Sequence, residues 1–405
     1  MKRKPLYLFA LAFVAMLVCS CTEQYALQTN TFDEALVVEA NITNEFKEQE
    51  IKISRSFRFE QADPVFETGA TVTITDDSGN VYPFESQAEK YVSTAPFQAV
   101  AGKTYRLNIK TTDGKSYSSL GENLTAVNEM QSVVPTVEVK NGEKGVAIVV
   151  NSYDPQANSK YYRYEYEETY KIIAPEWNPE KAILLPPLEG NTHEEIGVVP
   201  RDPGETRTCY STINSNEIIQ TSTVGLSEDR VNFPVRFISN KNPIIMHRYS
   251  ILVRQYVQTL AAHTFYKTLK QLSGNGSILS QTQPGFFYGN LKCDTNPNEK
   301  VIGLFEVTSV SSKRIFFNFT DLFPDDPTPP YFTNCDLKLY GFCFIPEIPE
   351  CKGAALLIGI RGNDLLYAGN YYNFELDYEV YQMVPPICGD CTKFSSNVIP
   401  SFWID

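Results

Sequence analysis

Histidine and tryptophan are scarce in this chain, with three and two residues in 405. His193 stands in Thr192-His193-Glu194-Glu195 without the second histidine, four residues on, that a zinc-protease helix needs; His247 and His263 stand alone. No Gly-x-Ser-x-Gly elbow, phosphate loop or dinucleotide fingerprint occurs. These absences leave no catalytic residue, metal ligand set or cofactor to expect. Positive charge is also short, with 35 Lys and Arg against 48 Asp and Glu and a net charge of -13. That balance excludes nucleic-acid binding by phosphate neutralisation. Cysteine is missing between Cys21 and Cys209, so cross-links are confined to the second half of the chain.

What is there begins at the first residues. Lys2, Arg3 and Lys4 form a positive segment, Leu6 to Val18 an apolar one too short to span a bilayer comfortably, and Val18-Cys19-Ser20-Cys21 a lipobox. Residues 1-20 therefore read as a lipoprotein signal peptide, with Cys21 the lipidated residue. Two or three acyl chains anchor stably where one does not. Thr22 and Glu23 lack the aspartate that retains lipoproteins at the inner membrane, which favours the cell outer membrane; whether the chain faces the periplasm or the surface stays open. Loss of Lys2, Arg3 and Lys4 takes the net charge from -13 to -16. Residues 21-33 are polar and aperiodic, a tether.

From Ala35 the pattern is that of strands. Leu36-Val37-Val38-Glu39-Ala40, Ile51/Ile53, Val72/Ile74 and Tyr105/Leu107/Ile109 alternate with polar residues, and Asp77-Ser78-Gly79-Asn80 and Asp113-Gly114 mark turns. We expect a mainly β protein: an antiparallel β-sandwich over 34-122, then a larger β-rich domain over 123-405. Only Thr259 to Leu272 favours a helix, with Gly274 stopping it. Strands at Val301 to Val307 and Arg314 to Phe319 are expected to resume the core of the second domain.

Two features of that second domain bear on function. Tyr162, Tyr164, Tyr166 and Tyr170 share one strand parity, with Arg163, Glu165, Glu167 and Lys171 on the other. The tyrosines are either the inward face of a sheet or an aromatic surface that stacks on sugar or peptide. Tyr372, Phe374, Leu376, Tyr378 and Val380 repeat the alternation against Asn373, Glu375, Asp377 and Glu379, core against solvent. In an oxidising compartment the cysteines are expected in disulfides, and an odd number leaves a free thiol. Cys335, Cys343 and Cys351 should staple the Pro-rich stretch from Asp325 to Pro349, with Cys388 and Cys391 as candidate partners and the connectivity open. The Cys388-x-x-Cys391 spacing also serves zinc and redox centres, but Pro385-Pro386 precedes it where a redox pair needs a helix start.

The segment Gly69-Ala70-Thr71-Val72-Thr73-Ile74, with Lys90-Tyr91 and Gly102-Lys103-Thr104-Tyr105, resembles transthyretin-like modules related to carboxypeptidase regulatory domains. Over nearly the whole mature chain, Leu36-Val37-Val38-Glu39, Tyr161-Tyr162-Arg163-Tyr164, Cys209-Tyr210-Ser211-Thr212, Gly303-Leu304-Phe305, Lys313-Arg314-Ile315 and Cys388-Gly389-Asp390-Cys391 together resemble the Bacteroidota-type outer-membrane lipoproteins of domain of unknown function 4249. That resemblance implies a non-catalytic accessory or ligand-binding partner of a TonB-dependent receptor, held to the membrane by its lipid and taking a small ligand, glycan or peptide. A structural or adhesive surface lipoprotein is the alternative. A glycan or peptide hydrolase using Glu165, Glu167 or Asp377 would need a cleft holding two carboxylates of perturbed pKa.

Overall fold

The computed structural model describes residues 35-56, 65-274, 289-345, 347-375 and 377-405. The signal peptide, Cys21, the tether and Leu376 lie outside the described residues.

The fold is mainly β, as the alternation predicts. Strand Leu36–Thr43 buries Leu36, Val38, Ala40 and Ile42 on one face, a period-2 pattern that fixes its register against Glu50–Arg55. The first sheet runs in the order 291-293, 116-119, 104-110, 71-76, 81-87, 90-93, 50-55, 36-43 and 301-308. Its two ends are neighbours in sequence, so the sheet curls into a nearly closed, barrel-like sandwich around Ile51, Ile74, Tyr105, Leu107 and Phe305. Closure removes exposed sheet edges.

The closing strands change the expected organisation. Val301–Thr308 pairs in parallel with Leu36–Thr43 along its full length, and Leu291–Cys293 pairs with Ser116–Ser119. The first sandwich is thus completed by residues from beyond position 290, and its sheet is not wholly contained in 34-122. Local alternation identifies a strand without naming its partner.

Gly303 makes the parallel pairing geometrically feasible. Its φ is +141°, and a Cβ there would lie 2.1 Å from the Val38 carbonyl oxygen. Gly303→Ala should therefore cost about 3 kcal/mol through backbone strain and overpacking, seen as a lower urea midpoint and loss of amide-exchange protection in Leu36–Thr43.

The chain then builds a second sandwich. One sheet holds Met130–Lys140, Glu143–Asp154 and Asp229–Ser239; the facing sheet orders Thr208–Asn214, Tyr161–Ile173, Arg248–Gln258 and Val310–Asn318, with Ile219–Ser222 also on Tyr161–Ile173. Val146, Ile148 and Val150 meet Tyr164, Ile251 and Val253 in the core between them. The expected helix forms as Leu260–Gly274. Thr259 Oγ1 accepts from the Ala262 N–H at its start.

A third unit packs at the C-terminal end. Lys338–Gly341, Tyr378–Val384 and Leu366–Asn373 form a small sheet, against which the helix Gly353–Arg361 and the hairpin Glu180–Leu185/Glu195–Pro200 bury Leu356, Ala182 and Val198. That helix was not expected from the sequence; Gly353-Ala354-Ala355-Leu356-Leu357-Ile358 is short and apolar, which strand and helix share. Leu366–Asn373 and Tyr378–Val384 are the arms of a hairpin. The turn between them breaks the expected alternation and leaves Phe374 88% exposed, so Tyr372 and Phe374 are not core residues.

Candidate binding site at the seam of the two sandwiches

Alternation along Tyr161–Ile173 sends tyrosines into the second sandwich and charges out, Arg163 and Glu165 among them facing the first. Those outward charges are not all solvated. Arg163 is only 8% exposed, its guanidinium lying between the rings of Tyr256 at 4.5 Å and Tyr266 at 4.9 Å. A cation over two aromatic faces, shielded from water, is held firmly in place. Arg163 Nη1 donates to Glu165 Oε1, and the Tyr256 hydroxyl donates to Glu165 Oε2 at 3.0 Å. Burial works to raise the Glu165 pKa, but Arg163 and these hydrogen bonds outweigh it and keep the carboxyl below its usual range.

The first sandwich supplies the facing wall. Glu39 and Lys52, cross-strand partners on its outer face, join Arg163, Glu165, Arg254 and Tyr266 around a groove of about 500 Å³. Among the described residues, the side chains of Arg254 and Lys52 make no hydrogen bond or ion pair, although Arg254 lies close enough to Glu165 to help hold its carboxyl ionised. The groove therefore offers positive side chains without hydrogen-bond partners beside the anchored Glu165, suited to a polar ligand with charges of both signs.

Behind Tyr266, the helix Leu260–Gly274 closes a second space of about 220 Å³. Glu122, Asn290 and Glu306 line it together with Leu120, Ala262 and Phe265. Glu306 is 4% exposed. Its Oε1 accepts from Gln258 Nε2 at 3.3 Å, and its Oε2 has no hydrogen-bond partner. Burial raises the pKa of both Glu306 and Glu122.

Residues 22–314, well over half of the chain, match the family described as Domain of unknown function (DUF4249). The chain belongs to the DUF4249 family. No curated protein matches it. The DUF4249 match takes in the first sandwich and nearly all of the second, including every residue named so far at the seam. The small sheet of 338-384 lies beyond it.

In this DUF4249 chain the tyrosine stripe is not a binding surface. Tyr162 and Tyr164 are fully buried and Tyr170 nearly so, and Tyr166 packs half-buried against the same core. Their hydroxyls find partners inside: Tyr162 donates to Asp229 Oδ1 at 2.9 Å and Tyr164 to Gln255 Oε1 at 3.1 Å. The inward parity wins because the facing sheet covers it.

The candidate acids do not converge. Glu165 lines the groove, Glu167 pairs with Arg314 at 2.5 Å, and Asp377 sits at the exposed turn, accepting from the Tyr372 hydroxyl. Sequence reasoning misses Glu122 and Glu306, which do share a space. Glu306 carried a signal, as the lone charge within the apolar strand Val301–Thr308. The histidines are also apart: His193 stacks on Phe344 at 3.7 Å and His263 on Tyr161 at 5.0 Å, while His247 lies half-buried and its pKa is lowered by burial.

The cysteines pair as Cys209–Cys391, Cys335–Cys388 and Cys343–Cys351. Cys388 and Cys391 thus go to different partners and form neither a zinc nor a thiol-redox pair with each other. Cys209 joins them from the second sandwich, an assignment that spacing could not make. Among the described residues the free thiol is Cys293, buried in the first sandwich.

Proposed function

We propose that this protein is a non-catalytic lipoprotein of the outer membrane, anchored through Cys21, that works as the accessory or ligand-binding partner of a TonB-dependent receptor. The observation that carries the binding part is Arg163, buried yet lining the groove between the two sandwiches. A buried charge is costly and is kept where it orders a polar surface. The lipobox carries the anchoring part, and three disulfides suit an oxidising compartment. Among the described residues no helix is long and apolar enough to cross a membrane.

The test is cross-linking with mass spectrometry on intact cells, with a protease-shaving arm. The expected result is surface cleavage, cross-links from the Lys47 and Lys52 side of the groove to a receptor barrel, and release from the membrane fraction in Cys21→Ser. Lys52→Glu, which reverses an exposed groove charge outside the core, should weaken the Lys47 cross-link to the receptor about tenfold without changing thermal stability. Protection from protease, with cross-links only to envelope-assembly proteins, would refute the receptor reading.

One observation favours a structural or adhesive role instead. Tyr371, Tyr372 and Phe374 crowd the exposed tip of the C-terminal hairpin, beyond the family match. Loss of surface attachment in Phe374→Ser, with uptake intact, would select it.

A further inference from the structure

We infer that the space closed by the helix Leu260–Gly274 is a binding site for a primary ammonium group on a short aliphatic stem, received between Glu122 and Glu306. This site is separate from the groove and does not depend on a receptor partner.

The argument starts from charge. Three carboxyl groups, Glu165, Glu306 and Glu122, stand around the seam with one buried cation, Arg163, which hydrogen-bonds Glu165 and reaches Glu306 only through space, so the carboxyls outnumber the cation three to one. Glu306 and Glu122 form no ion pair with a described residue. Glu122 has only the Asn290 amide, donating at 2.8 Å. Glu306 accepts from the neutral Gln258 amide and has Arg163 within electrostatic reach, but Arg163 makes no hydrogen bond to it, and the Glu306 Oε2 is buried with no hydrogen-bond partner. A carboxyl oxygen buried without a donor is costly, a cost that a ligand's donor removes.

The walls define the rest of the ligand. Leu120, Ala262, Phe265 and Leu304 give the space apolar sides, which accommodate methylene groups while the polar end is held. At about 220 Å³ it is smaller than the usual drug-sized pocket, and it excludes a sugar chain or folded peptide while admitting a group the size of a lysine side chain. A carboxylate ligand is excluded by like charge and an alcohol leaves one carboxyl uncompensated, so the ammonium is the chemistry that satisfies both glutamates.

The experiment is isothermal calorimetry on the full lipoprotein in detergent, titrated with pentylamine, 1-pentanol and pentanoate, which share a stem and differ in charge. Pentylamine should bind about tenfold or more tightly than 1-pentanol, as expected for a charge-assisted hydrogen bond, and pentanoate should give no heat. Glu306→Gln and Glu122→Gln should each weaken pentylamine about tenfold, with the thermal midpoint measured alongside. Glu122 is only half-buried, so its variant tests the site even where Glu306→Gln lowers stability. Equal affinity for amine and alcohol, unchanged pentylamine affinity in folded Glu122→Gln, or no binding of pentylamine would each overturn the inference.

Discussion

Tyr164→Ala should destabilise the second sandwich by about 3–5 kcal/mol, the range for removing a fully buried aromatic ring, whereas Tyr164→Phe keeps the ring and should cost about 1–3 kcal/mol, through the buried Gln255 Oε1 it leaves without a donor. The ring is fully buried beside Phe233 and the hydroxyl makes one hydrogen bond, to Gln255. Tyr162 adds a polar element. Its hydroxyl meets both Asn128 Nδ2 at 2.8 Å and Asp229 Oδ1 at 2.9 Å, so Tyr162→Phe leaves buried partners short and should cost about 1–3 kcal/mol. Burial first, and then Asp229, keep the Tyr162 phenol above its ordinary pKa, so it stays a donor throughout the physiological range. Urea unfolding followed by near-ultraviolet circular dichroism separates the two cases. An aromatic binding surface would behave in the opposite way, with stability unchanged in the alanine variants and ligand affinity lost.

The tyrosines also show where sequence reasoning works and where it stops. Alternation reports that two faces differ, and in Leu36–Thr43 and Tyr161–Ile173 it identifies the strand and its inner face correctly. The Leu260–Gly274 helix is legible because its apolar period and its terminating glycine are local. What alternation cannot report is whether the second face is also covered. Arg163 has the parity of a solvated residue, but a strand from the first sandwich and a helix from the second close over it. Glu306 belongs to a strand expected in the core of the second domain that instead completes the first sheet, in parallel with residues far earlier in the chain. Both halves of the candidate site therefore depend on long-range pairing. The Tyr372 and Phe374 misassignment is of the other kind, since the period runs unbroken through residues that make a turn.

Cys209→Ala with Cys391→Ala should lower stability by up to about 5 kcal/mol. The cross-link spans 182 residues, and the loop-closure relation gives about 5 kcal/mol for a loop of that length. The neighbouring Cys335–Cys388 bond shortens the loop by a fraction that the logarithm nearly erases. Both cysteines are fully buried in the native fold, so alanine avoids leaving hydroxyls unpaired. The consequence is also spatial. Cys209 lies on an edge strand of the second sandwich and Cys391 follows the last strand of the C-terminal sheet, so the bond ties one unit to the other. Beyond it the chain returns across the outer face of the second sandwich, where Arg314 stacks on Phe402 at 3.5 Å and Trp403 packs against Tyr210 at 4.9 Å. Without the cross-link, calorimetry should resolve two melting transitions, the C-terminal unit first, and the exchange protection of residues around Trp403 should fall with it. A single unshifted transition would mean that packing along the Tyr210 strand alone holds the two units together.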